Sequence, residues 1–368
     1  MIAKKMAGVA AALALGFSAS AAHSETITIQ MTSTWTSGIT LIESDKRFVE
    51  LVNRLAGDRL QIRFHAGGTL VPSMQVFDAV SDGDIDASGD WPGYWAGRDS
   101  AFSLLGSYPM LLSTGDYLFW IQQWGGFDAY NEVYGQYDMV YLPYALITAE
   151  SGLRSRQRLP DLESLQGKRI RMSGRPQGAV LEALGAAQVN LPGQDVYQAL
   201  ERGVVDAAEF SDPGIDYMLG FHEVTNYWTA PGWHQPGNVG GVMINREVWD
   251  SLDEDLQHIM KVAAEANLAW SVAHFNRQAA EATAKFREAG IEVDVLTDEE
   301  LDRIQEIAND VLVRDSCENP LFARIALSQL EFMQDYADWR SLQSTFAFGR
   351  NLKSFPDIDR IRECAEEG

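Results

Sequence analysis

Positive charge is scarce in this chain. Its 368 residues carry 29 Lys and Arg against 52 Asp and Glu, a formal net charge of -23. Nucleic-acid phosphates are held by basic patches, so nonspecific nucleic-acid binding is excluded, as is adhesion to anionic lipid. Solubility and self-repulsion follow. An anionic ligand would need one local cation to overcome this background. Cysteine is nearly absent, with Cys317 and Cys364 the only two. No Cys or His spacing surrounds them, so a cysteine metal centre is unsupported. Export would make a disulfide between them the expected state, with two free thiols as the alternative.

Catalytic signatures are missing too. There is no H-E-x-x-H, no G-x-S-x-G and no phosphate loop. The six histidines are His23, His65, His222, His234, His258 and His274. A general acid or base needs a partner within reach, and spacing supplies none. His258 and His274 read as surface residues of an acidic helix. His234 stays open between lining a cleft, packing and facing solvent. No repeat, low-complexity tract or Gly/Ser linker appears.

Long apolar runs are also lacking after the start of the chain. Lys4 and Lys5 precede an apolar stretch over residues 6–17, and small residues follow. This predicts a secretory signal peptide over residues 1–24, with cleavage between 22 and 25. The stretch is shorter than the ~20 residues a spanning helix needs. The expected mature protein is soluble and exported.

What is present is a large apolar fraction, 46%, and length enough for two domains. Residues 25–31, 60–64 and 139–148 read as strands, and residues 83–87 lead into another. Helical spacing covers 41–55 and 117–134, and a turn followed by a helix covers 67–84. This βαβαβ rhythm predicts an α/β fold with a mostly parallel sheet. Residues 169–172, 186–189 and 205–210 give a second set of short strands around helices 177–184 and 195–202. An apolar strand follows at 239–244. The last third reads as helices over 254–289, 298–313 and 320–345. The expectation is two similar lobes crossed more than once, near Thr148 and Gly237, with ligand in the cleft at the strands' carboxyl ends.

Residues 167–252 carry the most information. Arg171 sits in the alternating pattern Arg169-Ile170-Arg171-Met172. A guanidinium at a strand's cleft end can hold a carboxylate through two parallel hydrogen bonds. Its alternative is a surface arginine paired to an acid. Glu209 ends a strand pattern and would need a cation or donor if buried. Trp233 lies in the turn-rich Pro231-Gly232-Trp233-His234-Gln235-Pro236-Gly237 and could wall a pocket or pack in a core.

In these residues the chain resembles a DctP-type extracytoplasmic solute receptor of the tripartite ATP-independent periplasmic (TRAP) transporters. It is most similar to the subgroup binding 2-oxo acids and lactate with a metal ion. The carrying motifs are Gly167-Lys168-Arg169-Ile170-Arg171, the run over residues 195–210, Leu219-Gly220-Phe221, Pro231-Gly232-Trp233 and Asn245-Arg246-Glu247-Val248-Trp249. The resemblance implies a two-lobed periplasmic binding fold, type II-like, with mixed sheets and long C-terminal helices. Residues 25–148 and about 237–285 would form one lobe, 149–236 the other, and 286–368 a helical region packing across them or on a partner.

The resemblance also implies roles. Arg171 matches the carboxylate anchor. Glu209 and the Phe210 carbonyl match metal ligands. Gln235 falls where relatives carry Glu, and Glu150 where they carry Gln. Tyr94 and Trp95 match an aromatic wall, and Trp233 lies beside the ligand. Oxygen donors suit Ca²⁺ or Na⁺, and the surplus negative charge favours a divalent ion. The implied function is capture of a small organic acid in the periplasm and delivery to a membrane permease, without catalysis. Some relatives dimerise by exchanging a C-terminal helix. Here such a helix shows an apolar stripe through Leu321, Ile325, Leu327, Leu330 and Met333. A secreted enzyme on the same scaffold and a sensory subunit are the competing classes.

Overall fold

The computed structural model describes residues 26–191 and 193–343. The expected signal peptide and Cys364 lie outside the described residues, so the disulfide is left there. Cys317 is exposed.

Two mixed sheets organise the chain. The first contains β1 (Ile27–Ser33), β2 (Leu60–Phe64), β3 (Ala87–Asp90) and β4 (Met139–Ile147). The second contains β5 (Leu153–Ser155), β6 (Arg169–Arg171), β7 (Ala187–Val189), β8 (Ala207–Ala208) and β9 (Tyr227–Ala230). The chain then returns to the first sheet as β10 (Asn238–Asn245) and adds β11 (Glu292–Val295) to the second. Strand orders are β2-β1-β3-β10-β4 and β11-β9-β5-β8-β6-β7. In each sheet one strand opposes the rest: β10 in the first, β5 in the second. These are the strands that enter each lobe from the other. Such a strand must start where its neighbours end, so it runs the opposite way.

Burial follows sequence pattern. β4 (MVYLPYALI) is buried at all nine positions although it ends its sheet, because the long helix Glu254–Glu288 and the helix Gly126–Tyr134 pack on it. Edge strand β2 buries Leu60 and Ile62 and exposes Gln61 and Arg63. The single helix expected over 117–134 is two, Thr114–Gln123 and Gly126–Tyr134. Gly125 between them has φ 79°, a left-handed conformation that stops one helix and starts the next. Ser113 and Asp116 form a capping box on the first.

Up to residue 288 the lobes are joined three times. Residues 148–152 lead from β4 to β5, and residues 231–237 lead from β9 to β10. The third join is the 35-residue helix Glu254–Glu288, roughly 50 Å long. Its first half packs on β4 and the helix Ile42–Ala56, and its second half on the helix Pro213–Met218. The C-terminal pair also bridges. Helix Asp298–Glu318 lies on Arg175–Ala183 of the second lobe, and Pro320–Gln343 lies on first-lobe helices. Leu321, Ile325 and Phe332 bury against the chain itself, whereas Leu327 of the expected stripe is exposed.

Candidate functional site

Strand ends and inter-lobe crossings meet at one cavity. The loop after β1 brings Trp35 and Leu41, and β3 leads into Trp91 and Tyr94. β6 ends at Arg171 with Ser173 beyond, and β8 leads into Phe210 and Ser211. The crossings supply Glu150 and Gln235, and the strand ends that flank them supply Ile147 and Asn238. Water centres could occupy about 40 Å³ of it. One water needs ~10–15 Å³ on that measure, so the space suits a molecule of a few heavy atoms.

Arg171 is 3% exposed. Its Nε donates to the Leu191 carbonyl at 3.1 Å, and Nη1 to the Glu209 carbonyl at 2.8 Å and Oε1 at 2.9 Å. The Phe210 ring centre lies 5.5 Å from the guanidinium carbon. Among the described residues nothing accepts from Nη2, so that nitrogen remains for a ligand. Arg171 is also the only cationic side chain lining the cavity. Arg169, on the same strand, is exposed and pairs with Asp206.

Glu209 is fully buried. Its Oε1 accepts from the Ser173 N–H and, at 3.0 Å, from the Ser173 hydroxyl. Its Oε2 is buried with no partner. Glu150 and His234 stand beside it. Ligand atoms of Glu150, Glu209 and His234 all lie within 4.8 Å of one another. His234 Nε2 is 2.8 Å from Glu150 Oε2. Gln235 donates to the Ser173 hydroxyl at 3.2 Å, and its carbonyl accepts the Glu150 N–H at 3.1 Å. The two crossings are thereby fastened to each other. A Cβ at Gly232 would lie 2.2 Å from the Glu150 carbonyl oxygen, so only glycine fits there.

The electrostatics are those of a crowded acid cluster. Burial, then the charge of Glu209, pushes the Glu150 carboxyl well up from its ordinary value. Burial works upward on Glu209 as well, but the Arg171 guanidinium takes it below the carboxylate norm. Burial lowers His234 to about 4, so its imidazole is neutral at pH 7. Two buried carboxyls and an orphaned carboxylate oxygen fit a bound hard cation. Glu150 and Glu209 would hold it, with Gln235 and Phe210 alongside.

Of the residues expected at the site, Arg171, Glu150, Tyr94, Phe210 and Gln235 line the cavity, and Glu209 lies against Arg171. Trp95 and Trp233 do not. Trp95 packs on Phe77 in the first-lobe core and donates its indole N–H to Asp90. Trp233 is buried in its turn, where its carbonyl accepts the Met110 N–H. Trp35, Leu41, Trp91, Ile147, Ser173, Ser211 and Asn238 complete the lining without having been singled out. They sit in loops or at the ends of strands, where periodicity does not single them out. The place of His234 beside two carboxyls became visible only in three dimensions.

The chain is similar to known proteins over most of its length. Residues 31–316 match the model of bacterial extracellular solute-binding protein family 7, DctP. A monocarboxylate 2-oxoacid-binding periplasmic protein of Nostoc sp. is 28% identical over 323 residues, covering 87% of this chain and 85% of its own. A TRAP transporter solute binding protein from Bordetella bronchiseptica, with copurified calcium and picolinate, superposes with a TM-score of 0.82 at 26% identity. That match covers 94% of this chain and 99% of the other. One from Pseudoalteromonas atlantica shares the fold with a TM-score of 0.81 at 23% identity, covering 87% and 98%. The chain belongs to the DctP family of bacterial extracellular solute-binding proteins.

Proposed function

We propose that this protein is the periplasmic receptor of a TRAP transporter and captures a small monocarboxylate, such as a 2-oxo or 2-hydroxy acid. One observation carries the reading. Among the described residues Arg171 is the only cation on the cavity wall, and it stands over a buried cluster of acids. A single carboxylate can pair with its free Nη2 and share a cation held by Glu150 and Glu209. A second carboxylate would find no second cation among the described lining residues. The relatives from Nostoc and Bordetella bind a 2-oxoacid and, with calcium, picolinate. Both ligands are small monocarboxylates.

The ligand touches residues of both lobes, so it favours the closed arrangement to the extent that it binds that arrangement better. The closed protein is then the form offered to a membrane permease. The role inferred is that of a carrier. We also infer self-association through the exposed side of the helix Pro320–Gln343, which carries Leu327, Trp339 and Leu342. Sedimentation as a monomer at all concentrations would remove that part.

The deciding test is thermal stabilisation by pyruvate with calcium. The wild-type chain should be stabilised, and chelation should weaken the effect. Arg171→Ala should weaken binding about a hundredfold or more, since a buried charge partner is lost. Undiminished stabilisation in that variant would sink the assignment.

A further inference from the structure

A second arginine, Arg154, is buried behind the cavity. It projects from β5 and is 0% exposed, as is its partner Asp216 on the helix Pro213–Met218. Nε donates to Asp216 Oδ2 at 3.2 Å, and Nη2 to the Ser151 hydroxyl at 3.0 Å. The guanidinium carbon is 3.9 Å from the Trp228 ring centre and 3.8 Å from that of Phe286. Nη1 has no hydrogen-bond partner, and the rings cover the ion instead.

The bonds close into a ring. Asp216 Oδ1 accepts the Ser211 N–H at 3.1 Å, and the Ser211 carbonyl accepts the Ser151 N–H at 3.0 Å. The Trp228 indole donates to the Ser151 carbonyl. The three joins before residue 289 all reach this point. Ser151 belongs to the first crossing, Trp228 to the strand leading into the second, and Phe286 to the end of the long helix. On the cavity side, Ser151 adjoins Glu150, and Ser211 follows Phe210 and lines the cavity itself.

A buried ion pair is a poor way to stabilise a core, because desolvation offsets much of the attraction. Apolar residues of similar size often serve as well or better. Its value here lies elsewhere. We propose that the Arg154–Asp216 pair is a positioning device that clamps residues 150–151 to residues 210–211, holding the cation and carboxylate site in register where the crossings converge. The binding readout of this proposal rests on the monocarboxylate reading, and its second readout does not.

The test uses the charge-free double variant Arg154→Met/Asp216→Asn, which keeps volume and an acceptor for the Ser211 N–H. Its ligand-free thermal midpoint should stay near that of the wild type. The pyruvate Kd in saturating calcium should rise about tenfold or more, with part of the loss recovered in Arg154→Lys. Hydrogen exchange is read in parallel without ligand. Amides of residues 149–153 and 209–212 should exchange at least tenfold faster, while those of β1 and β4 keep their rates. An unchanged Kd with unchanged exchange overturns the proposal. So does a variant that unfolds or exchanges faster everywhere, since the pair would then serve the fold alone. If the wild-type protein fails to bind pyruvate with calcium, the function proposed above fails, and the exchange contrast still decides this inference.

Discussion

A lysine at position 171 would keep the charge and lose the geometry. One ammonium cannot serve the Leu191 carbonyl, the carbonyl and Oε1 of Glu209, and a ligand carboxylate at once. Arg171→Lys should therefore weaken pyruvate binding at least tenfold in calorimetry; full affinity would mean that charge alone suffices. Gln235→Glu adds a carboxylate beside Ser173 and Glu150, and charge count tunes calcium affinity. That variant should bind calcium about tenfold more tightly, and no gain would place Gln235 away from the ion. Asn238 is 4% exposed on the cavity wall, and its amide has no partner among the described residues. Asn238→Leu should cost pyruvate about tenfold and propionate, which lacks the oxo group, much less. Equal losses would argue against a polar contact. At this scale the sequence was legible where one residue type has few uses. A strand-borne arginine and an acid ending a strand are rare enough to notice. Trp35 and Leu41 carry no such mark, because apolar side chains in loops look alike until the chain has folded. Trp95 and Trp233 show the converse, since an aromatic near a site in sequence can turn into the core.

Elements were legible in proportion to their length. Strands of five or more residues, such as β2 and β4, announce themselves by alternation or by a continuous apolar run. β5, β9 and β11 have three or four residues each, too few for any period to show. Yet β5 carries Arg154, and its entry is tightly built. Gly152 has φ 108°, and a Cβ there would lie 2.1 Å from the Thr229 carbonyl oxygen on the neighbouring strand. Gly152→Ala adds backbone strain to a clash with backbone that cannot move aside. It should destabilise the protein by about 3 kcal/mol or more, measured by chemical denaturation. A loss under about 1 kcal/mol would mean that β5 and β9 separate easily.

At the scale of the molecule, the first lobe holds two buried acids away from the ligand. Asp45 accepts from the Tyr144 hydroxyl, and Asp90 from the Tyr134 hydroxyl at 2.7 Å and from Trp95. Burial pushes each carboxyl up to about 7. In the unfolded chain both lose their protons near pH 4. Between those limits the folded state binds more protons than the unfolded state. Their stabilising contribution is therefore complete below pH 4 and is lost as the pH rises through 7. Asp90→Asn should flatten the fall in thermal midpoint from pH 4 to 7; parallel curves would count against it. Lobe contact beyond the cavity is also specific: Gln177 of the second lobe donates to the Ser107 carbonyl of the first at 3.1 Å. Such pairings were beyond the sequence, because periodicity tells which face of a helix is buried and not against what.

The small size of the cavity also sets a clock. A site with room for a few atoms between two joined lobes cannot admit its ligand while shut, so entry waits on opening. The observed association rate should then rise with ligand concentration only at first and level off at the opening rate. Release would obey the same gate, making residence time a property of the three crossings as much as of Arg171.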